Sequence, residues 1–267
     1  MSNNKTVAIA GLGAIGGRLA RELLDPGLPG FHLVAAGARD LAKARSIVGD
    51  IPVVDLAELA DHADIVVECA PSKVFDLIAE PVIEAGKTLI VMTGSALLER
   101  QPLIDRAREC GARILVPSGA MLGIDALNAV AEGEIYSVVI ATRKPPRGLH
   151  GAPYLVQNNI DVSDLKESLC IFSGSVREAA KHFPANVNVA AALSLAGIGA
   201  DRTRLEVWAD PTLKRNTHCV TVESDSSNFT VQIQNTPSDE NPATGRITPQ
   251  SVIALLRGMQ TPLKVGN

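Results

Sequence analysis

Glycines at positions 11, 13 and 16, in the run Ala8-Ile9-Ala10-Gly11-Leu12-Gly13-Ala14-Ile15-Gly16-Gly17, have the spacing that lets a backbone turn cradle the pyrophosphate of a dinucleotide. Gly11 suits the tight turn, Gly13 admits the phosphates to the backbone, and Gly16 lets the following helix pack closely on the preceding strand. Ala14 and Ile15 open that helix, whose first N–H groups and positive end would face the phosphates. Glycines that only shape a turn need no particular flanks. Here an apolar run from Thr6 to Ala10 precedes them, and Ile15, Leu19 and Leu23 follow at helical spacing, which is the strand-turn-helix context that phosphate binding requires.

The next residues able to discriminate a cofactor stand in Val34-Ala35-Ala36-Gly37-Ala38-Arg39-Asp40. In NAD-specific folds an acidic residue at the end of the second strand holds the ribose 2′-hydroxyl. Ala38 occupies that place and Arg39 follows, which leaves room for a 2′-phosphate and offers it a planar, bidentate partner. NADP preference, or use of both NADP and NAD, is therefore expected. With the register one or two residues off, Asp40 would serve the ribose and Arg39 would be solvated. Three further loops of small residues should reach the ligand crevice at the carboxyl ends of the strands: Cys69-Ala70-Pro71-Ser72, Met92-Thr93-Gly94-Ser95 and Pro117-Ser118-Gly119-Ala120. Ala70 and Pro71 are candidate cofactor contacts, although ordinary loops also favour such residues.

Positioning these groups takes a regular alternation of elements. Over the first 117 residues, strands are expected at 6–10, 32–38, 51–54, 64–70, 88–92 and 113–117, with helices between them. That order predicts an α/β fold, a Rossmann-type doubly wound parallel sheet. After residue 118 the pattern changes. Helices are expected at 122–131, 176–182 and 187–198, and strands at 136–142, 204–208, 216–222 and 228–234, which predicts a second, α+β domain carrying a mostly antiparallel sheet. The expected division is 1–117 for dinucleotide binding and 118–245 for catalysis and dimerisation, with a C-terminal helix in 246–267 packing back on the first domain. Within the second domain, strand alternation puts Asn216, His218, Val220 and Val222 on one largely apolar face, and on that ground alone a hydrogen-bonded core histidine is the better reading of His218.

Composition agrees with an intracellular enzyme. The 267 residues are 46% hydrophobic and 20% charged with a formal net charge of −4, so neither a nucleic-acid footprint nor a membrane partner is expected. A polar start, MSNNKT, runs straight into the first strand, so a cytoplasmic protein without a signal peptide is expected. Cys69, Cys110, Cys170 and Cys219 are too widely spaced for a zinc or redox motif and are read as buried reduced thiols; no metal is expected.

Several segments of the second half form a recognisable pattern: Thr142-Arg-Lys-Pro-Pro, Phe183-Pro-Ala-Asn-Val-Asn-Val-Ala-Ala-Ala-Leu-Ser-Leu-Ala-Gly, Ala209-Asp-Pro with Arg215-Asn-Thr-His218, and Asn235-Thr-Pro-Ser with Asn241-Pro-Ala-Thr. With the N-terminal fingerprint, the chain resembles the L-aspartate dehydrogenase family over nearly its whole length. The resemblance implies NAD(P)-dependent interconversion of L-aspartate with iminosuccinate, which hydrolyses to oxaloacetate and ammonia and in some organisms feeds NAD biosynthesis. It carries the catalytic histidine onto His218 and nicotinamide-side contacts onto Ala120 and Asn188. Ala38 departs from the acidic residue that would mark an NAD enzyme, which bears on the cofactor's 2′ group and not on the reaction.

Such chemistry needs a hydride acceptor, one acid/base group and cations for two carboxylates. A histidine titrating near neutrality can move the proton without a metal. Arg143 and Lys144, at a strand end, are candidates for the carboxylates, or else solvated loop charges. Asn188 can orient the nicotinamide carboxamide, or merely cap the helix it begins. A homodimer through the second domain's sheet is expected. The alternatives are an oxidoreductase acting on another small amino, imino or hydroxy acid, and a non-catalytic nucleotide-binding sensor.

Overall fold

The computed structural model describes residues 4–183, 187–238, 240–241 and 244–266, with the Pro26 side chain left aside. Pro184, Ala185, Asn186, Pro242 and Ala243, which belong to two of the motifs above, lie outside the described residues. The chain forms two compact units, one running to Gly119 and taking in Thr248–Lys264, the other spanning Ala120–Ile247.

The first unit alternates β1 (Lys5–Ala10), α1 (Ala14–Glu22), β2 (Phe31–Gly37), α2 (Leu41–Val48), α3 (Leu59–His62), β3 (Ile65–Glu68), α4 (Phe75–Glu84), β4 (Thr88–Val91), α5 (Gln101–Glu109) and β5 (Arg113–Leu115). The strands pair in parallel in the order β2-β1-β3-β4-β5. Both faces are covered, which is why the strands are continuously apolar instead of alternating. Val7, Ile9, Ile65 and Val67 pack with Leu19 and Phe31 on one side, while Ala8, Val66 and Leu89 pack with Phe75 and Ile78 of α4 on the other.

The strand expected at 51–54 is reduced to a single bridge between Val53 and Ala36. Pro52 lends its carbonyl to the Ala36 N–H at 2.9 Å but has no N–H of its own, so the ladder cannot extend toward residue 51. The bridge still lies outside β2, so the succession of parallel segments is the doubly wound one.

Helix α10 (Ile247–Gln260) completes the first of these two cores. Its Val252 and Leu256 are fully buried in one cluster with Val7, Leu28 and Phe31. Each such side chain is worth roughly 1.5–3 kcal/mol of burial.

The second unit holds α6 (Ile124–Val130), β6 (Ile135–Lys144), α7 (Pro153–Gln157), β7 (Leu169–Ser175), α8 (Val176–His182), α9 (Asn188–Ala196), β8 (Arg204–Ala209), β9 (Thr217–Ser224) and β10 (Asn228–Gln234). Its sheet runs β10-β9-β6-β8-β7, antiparallel except for the parallel pair β6 and β8. Strand β7 was not expected. A usable signal for it exists in the apolar run Leu169-Cys-Ile-Phe172 and in the reciprocal capping of Ser175 and Glu178, which ends the strand and starts α8. Along the strands, Val138, Ile140, Leu205, Val207, Val220 and Val222 are buried on one face. Ser137, Val139, Glu206, Trp208 and Thr221, on the other face, are half or fully exposed.

The four cysteines are free thiols and half-buried rather than fully buried. Among the described residues no helix is long and apolar enough to cross a membrane, and no cluster of His, Cys, Asp or Glu could hold a metal ion.

Candidate active site

The glycine turn joins β1 to α1 as its spacing requires. Gly11 has φ +97°, and a Cβ there would lie 2.7 Å from the Cys69 carbonyl oxygen. A Cβ on Gly16 would overlap the Gly11 carbonyl oxygen, so this glycine is needed for the close approach of helix and strand. Gly13 differs, because a Cβ there would meet nothing within 4 Å. Its bare backbone is not required by the protein's own packing and leaves space for a ligand. Gly13 also caps α1 with no side chain, so the first-turn N–H groups, those of Ala14 and Ile15 among them, meet no side-chain cap and no acidic residue in the first turn. These features fit a dinucleotide pyrophosphate.

A cleft of about 1170 Å³ opens beside this turn, lined in part by Gly11, Gly13, Ala38, Arg39, Ala70 and Pro71. Arg39 is exposed at its edge, and Lys43 lines the same space. Asp40, the alternative partner for a ribose, spends a carboxylate oxygen on the Lys43 backbone N–H at 3.0 Å and so caps α2.

Glu68, which the sequence reading passed over, ends β3 with no exposed surface. Its Oε1 accepts from the Ala70 N–H and the Thr93 hydroxyl, both at 3.0 Å, and its Oε2 from the Thr93 N–H at 2.9 Å and the Met92 N–H at 3.2 Å. Burial pushes its pKa above the ordinary carboxylate value, against the opposing pull of these hydrogen bonds. A charged residue closing an otherwise apolar strand, Ile65-Val-Val-Glu68, was the available signal.

In the second unit, the β6–β9 register sets Thr142 opposite His218 on the core face. Thr142 Oγ1 lies 3.0 Å from His218 Nδ1, and both residues are buried. Lys144, two residues along β6, is on the same face and also buried. Loss of solvation lowers its pKa to about 8. His218 is lowered to about 4, first by burial and then by the Lys144 charge. Titration near neutrality, expected from the residue type, is thus displaced by its surroundings.

Arg143 does not join this cluster. Strand alternation turns it to the opposite face, where its guanidinium lies 4.6 Å from the centre of the Trp208 ring and 3.6 Å from Asp210. Ala120 sits in the loop before α6, and its carbonyl accepts from the Asn235 side chain at 3.1 Å. Asn188 is the first residue of α9, one position after the Val187 cap.

Comparison with known proteins agrees with these two constellations. The family described as "Aspartate dehydrogenase, C-terminal" matches residues 125–259, across the strands that carry Thr142, Lys144 and His218, and the "Homoserine dehydrogenase, NAD binding domain" family matches residues 11–117, from the glycine turn onward. L-aspartate dehydrogenase 3 of Bordetella bronchiseptica is 52% identical over 97% of this chain and 97% of its own, and the L-aspartate dehydrogenase of Bradyrhizobium diazoefficiens is 51% identical over 99% and 95%. The crystal structure of aspartate dehydrogenase from Thermotoga maritima superposes with a TM-score of 0.75 at 29% identity, covering 98% of this chain and 99% of that one. With half of all positions identical across nearly the full length of such relatives, this chain belongs to the L-aspartate dehydrogenase family.

Proposed function

We propose that this chain oxidises L-aspartate to iminosuccinate, and in reverse aminates oxaloacetate with ammonia, with His218 as general acid/base. The observation that carries this reading is the buried Thr142–His218–Lys144 face within the segment matched by the aspartate dehydrogenase family. NAD(P) bound on the Gly11–Gly16 turn supplies the two-electron acceptor. Ala70 and Pro71 would wall its cleft, and Ala120 and Asn188 are the residues that the family resemblance assigns to its nicotinamide side. His218, neutral in the free enzyme, takes the proton released from the substrate ammonium or from the water that attacks the imine. Thr142 fixes the ring through Nδ1, so that Nε2 is the atom that exchanges the proton. Lys144 anchors a substrate carboxylate.

Arg39 binds the 2′-phosphate and gives preference for NADP or use of both cofactors. One assay tests substrate and cofactor together: oxidation of NADPH and of NADH with ammonia and a panel of 2-oxo acids, on the wild type and Arg39→Ala. Oxaloacetate is expected to be the only good acceptor. Arg39→Ala is expected to weaken NADP(H) roughly 10- to 150-fold, the worth of a lost charge-assisted fork, with NAD(H) within about threefold. Equal turnover of another oxo acid would favour a different small-acid oxidoreductase, and tight cofactor binding without turnover would favour a sensor. Equal losses for both cofactors would remove Arg39 from the 2′ site.

The exposed face of the second sheet, which carries Val139, Trp208 and the oppositely charged Arg204 and Glu206, is the proposed homodimer surface. Light scattering is expected to return twice the 28.0 kDa chain mass, and a monomer at micromolar concentration would end this assignment.

A further inference from the structure

We propose that Glu68 is a positioning residue of the nucleotide site, whose carboxylate sets the two crevice loops after β3 and β4 and thereby the affinity for the cofactor. The proposal rests on the reading of the cleft beside the glycine turn as that site. A carboxylate with no exposed surface loses its hydration entirely, and an apolar side chain at the end of Ile65-Val-Val would avoid that loss. Compensation comes from four donors divided evenly over the two oxygens, three of them backbone N–H groups that no side-chain change can remove. Converging donors of this kind demand a group that only accepts.

One of the two loops that supply the donors lines the cleft, and the other is tied to it. Ala70 lies between Cys69 and Pro71, and all three line the cleft. The same loop abuts the glycine turn, since a Cβ on Gly11 would lie 2.7 Å from the Cys69 oxygen and 3.1 Å from Ala70 Cα. Met92 and Thr93 start the neighbouring loop, and the Thr93 hydroxyl is also 3.4 Å from the Ala70 carbonyl. Glu68 is therefore the shared anchor of a wall that touches the phosphate turn. Glutamine has the same volume, but its amide nitrogen would face the Ala70 N–H at one oxygen position, or the Met92 and Thr93 N–H groups at the other, so in either orientation the wall must shift to relieve a donor–donor contact.

The test is fluorescence titration of NADH and NADPH into the full chain, with hydrogen exchange followed at residues 69–74 and 92–97. Glu68→Gln is expected to raise Kd about tenfold for both cofactors alike, to speed exchange in both segments, and to leave kcat at saturating cofactor within about threefold of wild type. A folded Glu68→Gln protein with wild-type Kd overturns the proposal. If that variant does not fold, Thr93→Val decides: a Kd raised about threefold and restored in Thr93→Ser supports the anchor, and an unchanged Kd refutes it. Gly13→Val separates the two claims, because its side chain enters space that the protein leaves open. Normal cofactor binding by Gly13→Val would overturn the assignment of the cleft, and the role of Glu68 with it, whereas loss of binding there with wild-type Kd in Glu68→Gln would overturn Glu68 alone.

Discussion

Replacing His218 with alanine is expected to lower kcat by roughly 10²–10⁴-fold, the usual contribution of a positioned general acid/base, while cofactor Kd stays near that of the wild type. A histidine that only packs the core would behave differently, lowering Tm through an unfilled space while activity per folded molecule was retained. Kinetics and melting measured on one preparation distinguish the two, and near-normal turnover in a destabilised His218→Ala protein would end the catalytic assignment. The pH profile gives a second readout. A base must be neutral to act, so kcat/KM should rise with pH through the free-enzyme value of about 4 and be level by neutrality, and this limb should vanish in the variant. A carboxylate bound beside Lys144 offsets the charge that depresses His218, so the limb in kcat should lie at higher pH than the limb in kcat/KM. Stability follows the same group. Below about 6.5 the unfolded chain protonates this imidazole, while the native state resists until about 4, so the wild type should lose stability as pH falls across that window and His218→Ala should lose less.

Lys144→Met should act on binding instead of proton transfer. Removing a charge-assisted hydrogen bond to a carboxylate costs about 1.5–3 kcal/mol, which corresponds to a rise of roughly 10- to 150-fold in KM for aspartate or oxaloacetate, with kcat much less affected. Two further changes are expected in the profile of kcat/KM. The wild type should lose efficiency as Lys144 deprotonates near pH 8, and the variant should lack that decline. The acid limb should also move upward from about 4, because the charge that repels a proton from His218 is gone. An unchanged KM with both limbs in place would show that the ammonium meets no substrate.

Features whose determinants are local could be read from the chain. The glycine turn, β1 and α1 follow from spacing and flanking pattern, and the loop carrying Ala70 and Pro71 follows from where strands end. Features that depend on register could not. Arg143 and Lys144 are adjacent cations that strand alternation sends to opposite faces, and only the pairing of Thr142 with His218 shows that Lys144 is the one on the histidine's face. The lowered pKa of His218 arises from burial and from a lysine on another strand, neither of which has a local signature. Glu68 acquires its partners from Met92 and Thr93, 24 and 25 residues further on, so its significance becomes visible only when β3 and β4 lie side by side. The segment 51–54 has strand-like residues, yet it makes one bridge, with Pro52 closing off its N-terminal side.

The packing of α10 has a bearing on the order in which the molecule is assembled. Val252 and Leu256 share a core with Val7, Leu28 and Phe31, so contacts separated by more than two hundred residues hold the first unit together. A chain emerging from the ribosome at about 5–20 residues per second finishes the whole second unit before it releases these two side chains. The N-terminal sheet must then wait, for on the order of ten seconds, with part of its apolar surface uncovered. Folding is consequently nested: the segment of the second unit is synthesised inside the first, whose core is sealed only when α10 arrives.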